Sequence, residues 1–293
     1  MDNSTIAAAK VFRCSVCSAP QERVFQATIL RKYEISYLYC AGCGFLCTEP
    51  PFWLDEAYST AIASTDTGLV TRNIQIARVL SSLLYLAFGD RGTGRWLDYA
   101  GGYGMLTRLM RDKGYDFYWA DKHASNLFAQ GFEHKTGAIY DGVTAFEVLE
   151  HTENPIDFLS QLLKLSRSRT IILTTEIYHG YPPTPDNWWY FGLNTGQHIA
   201  FFQERTLRFI AGKLQLRYVR SGSFHIFSEH LPRAFMIHLA SSRLSIFVDS
   251  LSRRILQSRL LADHVRLANR LEMDLPSCLT PPGASKETDR NGL

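Results

Sequence analysis

Two sets of residues in this 293-residue sequence have types and spacings suited to chemistry. The first is four cysteines in two C-x-x-C pairs, Cys14-Ser15-Val16-Cys17 and Cys40-Ala41-Gly42-Cys43. Two such pairs can place four thiolates tetrahedrally around one ion. The twenty-two residues between them slightly exceed the usual zinc spacing of about 15–20. Disulfides are disfavoured in a chain read as having no export signal, and a thioredoxin-type site would use one pair beside a βαβ pattern. Cys14, Cys17, Cys40 and Cys43 are therefore expected to hold zinc. With no open coordination position, that zinc would be structural. Cys47 and Cys278 read as ordinary thiols.

The second set runs from Arg95 to His151. Gly101, Gly102 and Gly104 follow the apolar strand Trp96-Leu97-Asp98, so the chain can turn sharply at a strand's carboxyl end and bring bare backbone close to a ligand. Met105, Leu106, Leu109 and Met110 predict a helix over 105–113, whose N-terminus faces that turn. Asp121 closes the next strand, 116–120, about twenty residues after the turn, where a carboxylate reaches a ribose diol. A dinucleotide loop would carry a third glycine at position 105 or 107, occupied here by Met105 and Thr107. Asp98 would repel a pyrophosphate and suit an ammonium group. The turn thus favours S-adenosylmethionine over a nicotinamide dinucleotide.

These residues resemble a class I S-adenosylmethionine-dependent methyltransferase over roughly residues 90 to 220. The D-x-G-x-G-x-G motif of that family matches Asp98-Tyr99-Ala100-Gly101-Gly102-Tyr103-Gly104, with Ala100 at the first glycine. The ribose acid matches Asp121, and the fourth strand matches Asp141 through Glu147-Val148-Leu149-Glu150-His151. The resemblance implies a Rossmann-like α/β sheet with helices on both faces. It also implies a cofactor site of Asp98, Ala100, Gly101, Gly102, Tyr103, Gly104, Asp121, Lys122 and Glu147. A zinc module ahead of such a domain is similar to the arrangement in sugar C-methyltransferases acting on nucleotide-linked deoxysugars. Gly196-Gln197-His198-Ile199-Ala200-Phe201-Phe202 resembles the segment those enzymes place over the acceptor. They usually continue into a second large α/β domain, whereas about seventy residues follow Phe224 here.

Methyl transfer requires alignment of donor and acceptor and removal of the acceptor's proton. His198 is the candidate general base, with Glu176 or Glu150 orienting it or the acceptor; a structural histidine is the alternative. The stretch from Tyr178 to Gly196, with Trp188, Trp189 and Tyr190, reads either as a lid over the acceptor or as aromatic packing. His151 reads as a loop or packing residue, His123 as a possible neighbour of adenosine, and Tyr58 as packing or a contact to the methionine end.

The elements that must position these groups divide the chain into four parts. A zinc-ribbon-like module covers 1–50, with strands over 24–30 and 35–39, and the methyltransferase domain covers 51–225. Within it, Ser64-Thr65-Asp66 offers an N-cap to a helix over 69–88, Pro155 and Asp157 open a helix through Leu165, and Thr170 to Thr175 form a buried strand. One or two helices are expected within 226–275, and a disordered tail over 276–293. Arg243, Arg253, Arg254, Arg259, Arg266 and Arg270 allow peripheral contact with an anionic membrane or pairing with another subunit, against the plainer reading of a solvated face on a packing helix.

The composition, 46% hydrophobic and 20% charged, is globular, and a net charge of +3 demands no nucleic-acid partner. No apolar run approaches a membrane span and residues 1–9 lack a signal-peptide pattern, so a cytoplasmic enzyme is expected. The preferred acceptor is a saccharide or sugar conjugate. The alternatives are an RNA methyltransferase, which lacks support from a dense basic patch, and a non-catalytic binding protein on the same scaffold.

Overall fold

A computed structural model describes residues 12–58, 66–89, 92–241 and 243–274. Its centre is a six-stranded sheet in the order β10-β11-β8-β7-β5-β6, formed by β5 (Arg95–Tyr99), β6 (Asp116–Ala120), β7 (Gly142–Phe146), β8 (Thr170–Thr174), β10 (Arg217–Ser221) and β11 (Phe224–Ser228). The strands β5 to β8 are parallel, and β10 and β11 add an antiparallel hairpin at the β8 edge. All five residues of β8 are buried, which is what an uninterrupted Thr-Ile-Ile-Leu-Thr run demands of a strand covered on both faces.

The period-two alternation of the strands assigns their side chains to two cores. Leu97, Val143, Ala145, Ile171 and Leu173 share one core with α4 (Pro155–Leu165) and α5 (Glu204–Lys213). Trp96, Phe117, Ile172 and Ile226 face the other way, against α2 (Leu69–Leu83) and α3 (Met105–Asp112). Each such Leu, Ile or Phe contributes roughly 1.5–3 kcal/mol on burial. The helix α4 begins where Pro155 predicts, and the Asn154 side chain accepts from the Asp157 amide at 3.3 Å.

The second sheet is antiparallel, in the order β1-β2-β3-β4-β9: β1 (Phe12–Arg13), β2 (Pro20–Ile29), β3 (Tyr33–Cys40), β4 (Phe45–Thr48) and β9 (Ala200–Phe201). Its last strand comes from far along the chain, paired through Leu46 with Phe201 and Cys47 with Ala200. Cys14, Cys40, Cys43 and Phe45 pack into the same core as Leu97 and Ile171. A short helix, α1 (Leu54–Ala57), follows this sheet. The turn between β2 and β3 uses Leu30 and Arg31, both at positive φ (51° and 56°). Such turns favour Asn-Gly, and here the Leu30 amide donates to the Leu193 carbonyl at 2.9 Å, so a tertiary contact holds what local preference opposes.

Three elements depart from expectation. The helix α2 is preceded by Gly68 without a side-chain cap, since Asp66 instead pairs with Arg72 at 2.6 Å, while positions 64 and 65 lie outside the described residues. Beyond Leu83 it widens into a π-helical turn, Leu84–Phe88, before Gly89 at φ +51°.

The C-terminal region forms three helices, α6 (Ala234–Ser241), α7 (Ser245–Ile255) and α8 (Leu260–Asp274). Buried ion pairs dock α7 and α8 separately on α3 and the residue that follows it. Lys113 Nζ donates to Asp249 at 2.6 and 2.8 Å, and Arg111 Nε and Nη2 donate to Asp263 at 2.8 and 2.7 Å. Arg111 itself is 1% exposed, so both partners are withdrawn from water. No helix among the described residues is long and apolar enough to cross a membrane. The expected tail over 276–293 and Cys278 lie outside the described residues.

Candidate active site

The glycine-rich turn sits at the carboxyl end of β5, with the start of α3 behind it. Ala100, Gly102 and Gly104 take φ of +55°, +54° and +85°, so the alanine adopts the left-handed conformation that the motif normally assigns to glycine. Gly101 is needed for space: a Cβ there would lie 2.7 Å from Asp98 Oδ2 and 2.9 Å from Trp119. Across the turn, Asp121 follows β6, and its carboxylate accepts from the Gly102 amide at 2.9 Å and from the His123 and Ala124 amides at 2.7 and 2.8 Å. Lys122 and His123 are exposed, and Tyr58 stacks on His123 with centroids 5.2 Å apart. Bare backbone, a helix N-terminus and a fixed carboxylate on the neighbouring strand fit a nucleoside-bearing cofactor.

Asp98 lies deeper than the backbone of the turn. It is buried beneath the turn, where Thr144 Oγ1 and Thr107 Oγ1 donate to it at 3.1 and 3.3 Å. Burial pushes its carboxyl up to about 7, the two threonine bonds oppose this, and the charge of Asp121 adds to it. The carboxylate ties β5, β7 and α3 together under the loop.

Next to the turn, β7 ends in a second polar group. Glu147, at φ +53°, is a non-glycine residue in the left-handed region, a strained conformation of the kind found at functional sites. Thr174 Oγ1 donates to it at 2.6 Å and the Tyr190 hydroxyl lies at 3.5 Å. Burial, then repulsion from Glu150, raises its carboxyl to about 7.

The turn Leu149–His151 then carries Glu150 and His151. Glu150 is fully buried, and neither carboxylate oxygen has a hydrogen-bond partner of normal geometry among the described residues. Burial raises its carboxyl above the usual range.

His198 reaches this group from 47 residues further on. Its placement is over-determined: the Ile199 amide donates to the Glu150 carbonyl, the Thr48 amide donates to the Ile199 carbonyl, both at 2.9 Å, and β4 pairs with β9 immediately after. His198 Nδ1 lies 2.5 Å from the Tyr190 carbonyl, and His151 Nδ1 lies 3.0 Å from the Gln197 carbonyl. The two rings meet edge to face at 4.9 Å, and one ligand atom from each of Glu150, His151 and His198 falls within 4.8 Å of the others. The cysteine module thus helps to fix the histidine, through β4.

Glu176, expected as a partner of His198, is exposed and outside this cluster. The backbone alternates at the end of β8, so Thr175 points inward and Glu176 outward. The aromatic stretch divides likewise. Trp188 packs on Tyr178, Tyr190, Phe191 and Phe201, while Trp189 is 78% exposed.

The four cysteines of the paired motifs converge. Cys17 and Cys40 Sγ are 3.3 Å apart, Cys14 and Cys43 Sγ 3.6 Å, and all four sulfurs lie within 4.8 Å of one another. Two turns shape the site: the Ser18 amide donates to the Cys14 carbonyl at 2.9 Å, and the Gly44 amide to the Cys40 carbonyl at 2.8 Å, with Ser18 and Gly44 at φ +64° and +77°. Tetrahedral sulfurs about 2.3 Å from a zinc ion would be separated by nearly these distances. Cys47 lies outside the group, accepting from Gln21 Nε2 at 3.3 Å.

The family model described as "Methyltransferase domain" matches residues 72–221, just over half of the chain. The chain belongs to this methyltransferase family. It is a class I, S-adenosylmethionine-dependent enzyme, with its glycine turn and Asp121 inside the matched segment.

No functionally curated protein matches the sequence. Solved structures similar to this methyltransferase include magnesium protoporphyrin IX methyltransferase from Synechocystis PCC 6803 with bound S-adenosylhomocysteine. That protein is 15% identical, with 60% of this chain and 94% of that chain covered and a TM-score of 0.37. Two others are an O-methyltransferase family 2 protein from Planctomyces limnophilus DSM 3776 in complex with apigenin (12% identity, 60% and 66% covered, TM-score 0.40) and an O-methyltransferase family protein from Burkholderia thailandensis (11%, 60% and 66%, 0.38).

Sequence reasoning missed the part played by four residues around the methyltransferase site. His151 was read as a loop residue, although its adjacency to Glu150 was the available signal. Thr107 and Thr144, which hold Asp98, and Tyr190, which orients His198 through its carbonyl, carry no local pattern; only strand register and chain return bring them in.

Proposed function

We propose that this methyltransferase acts on a small hydroxyl-bearing acceptor, a saccharide or sugar conjugate, seated where Glu150, His151 and His198 meet beside the glycine turn. The observation that carries this reading is the convergence of those three side chains at the carboxyl edge of the parallel sheet, next to the turn and Asp121. S-adenosylmethionine, when bound, supplies a methyl group activated on a sulfonium sulfur.

The chain's own residues would do the rest. Gly101 to Gly104 and Asp121 hold the nucleoside, with Ala100, Tyr103, Lys122 and Glu147 around it, while Asp98 braces the loop from below. His198, with Nδ1 directed to the Tyr190 carbonyl, presents Nε2 as the proton acceptor, and the buried Glu150 carboxylate favours the imidazolium that results. Zinc bound by Cys14, Cys17, Cys40 and Cys43 would keep the small sheet folded and so keep β4 against β9.

Calorimetric titration with S-adenosylhomocysteine tests the cofactor site: wild type binds, and Asp121→Ala weakens binding by roughly tenfold or more, since a charge-assisted bond to a ribose is worth about 1.5–3 kcal/mol. Methyl transfer is then assayed on nucleotide-linked sugars and on phenolic acceptors. Turnover of the phenols alone would reject the saccharide. Unchanged turnover in His198→Gln would remove the histidine as base.

A further inference from the structure

We infer that Glu150, His151 and His198 form a second metal site, distinct from the cysteine cluster, that takes a divalent first-row cation through one carboxylate and two imidazoles. The inference rests on the reading of this edge as the acceptor side of a methyltransferase, and it makes His198 a ligand in the loaded protein in place of a free base.

Three observations carry it. The first is Glu150, fully buried, with the His198 ring and the Tyr190 and Thr175 hydroxyls as the polar groups beside it and no hydrogen bond of normal geometry to either carboxylate oxygen among the described residues. A buried carboxylate with only two poorly aligned hydroxyls and an imidazole beside it is costly, and a cation between it and the imidazoles offsets that cost. The second is the orientation of the rings. Both histidines direct Nδ1 at a backbone carbonyl, His198 at Tyr190 and His151 at Gln197, so each ring carries its proton on Nδ1 and leaves the Nε2 lone pair free. Metal-bound histidines are held in this way, because a carbonyl behind the ring fixes its tautomer and its direction. The third is convergence: the three ligand atoms lie within 4.8 Å of one another, with Glu147 as a further carboxylate alongside.

Two imidazoles and one carboxylate leave open coordination positions, unlike four thiolates. His151 and His198 keep some exposure while Glu150 has none, so the open positions would fall on the imidazole side. A cation there would receive an acceptor oxygen, fix its distance from the methyl donor and lower its pKa. This ligand set suits manganese through zinc, and hard manganese discriminates against the thiolates of the other cluster.

The test is titration of the zinc-loaded full chain with Mn2+, followed by loss of the free-ion electron paramagnetic resonance signal, and separately with Co2+, followed by optical absorption. The expected result is one additional ion per chain. Glu150→Gln and His198→Asn should each weaken its binding more than about 100-fold, while Glu176→Gln, outside the cluster, leaves it unchanged. Failure of both ions to add to wild type would overturn the site, as would retention of the ion by Glu150→Gln and His198→Asn. S-adenosylhomocysteine binding measured on the same samples separates the two readings: cation uptake without cofactor binding would remove the functional reading and leave the metal site standing, and the reverse would do the opposite.

Discussion

The cysteine cluster and the Glu150–His151–His198 cluster are opposite solutions to gathering metal-capable groups. The first draws its sulfurs from two local turns of one small sheet, offers four identical ligands, and would be closed once filled. The second draws a carboxylate and one imidazole from the end of β7 and the other imidazole from 47 residues away, and three such ligands would leave coordination positions open. A closed cluster serves the fold, and an open one has room for a reactant. The two are also coupled in space, because β4, the strand following the second cysteine pair, holds the segment that delivers His198.

The sharpest way to break the contrast is to remove one thiolate. Cys43→Ser should abolish zinc binding, lower the melting temperature by more than ten degrees or so, and abolish methyl transfer as β4 releases β9; zinc analysis, calorimetry and a turnover assay report the three. Retained turnover in a zinc-free variant would show that the two clusters are independent.

Next in size is a control remote from both. Asp263→Ala removes one of the two carboxylates on buried Arg111, leaving Asp116 at 2.8 Å, and should cost about 1.5–3 kcal/mol in denaturant unfolding with zinc content unchanged.

Glu150→Gln sharpens the contrast by sign. Loss of a ligand from the cysteine cluster destabilises, whereas removing the buried Glu150 charge, whose desolvation outweighs what the Tyr190 and Thr175 hydroxyls return, should stabilise the cation-free protein by roughly 1–3 kcal/mol at pH 8.

Asp98 adds a pH dependence. Its folded carboxyl, raised to about 7, lies above the unfolded value, so its contribution is present at low pH and declines as pH rises through 7. Unfolding free energies from pH 5 to 8 should therefore fall less steeply in Asp98→Asn than in wild type.

The smallest effect belongs to Ala100→Gly. Relief of a non-glycine residue at φ +55° outweighs the added chain entropy, and unfolding should become harder by about 0.5–1 kcal/mol, with cofactor binding retained.

How much of this site could be read beforehand followed from the range of the contacts. Gly101 to Gly104, Asp121 and the Glu150-His151 pair lie at strand ends within one βαβ stretch, where hydrophobic periodicity fixes which end of each strand is which. The cysteines were legible because two residues between thiols is itself a geometric constraint. Glu176 could not be judged, since one residue of alternation after β8 decides between cluster and solvent. The three C-terminal helices were also hidden, because α7 and α8 dock on Lys113 and Arg111 from another part of the chain.

Local patterns of apolar residues, glycines and paired cysteines were therefore enough to define the parallel sheet, the cofactor turn and the likeness to class I methyltransferases. Tertiary structure alone decided that Ala200 and Phe201 complete the cysteine module's sheet, that His198 meets Glu150 and His151, and that Asp98 is buried between Thr107 and Thr144. The physical reason is that alternation and spacing are properties of neighbouring residues, whereas strand pairing across 150 residues is selected by the burial and hydrogen bonding of the whole chain.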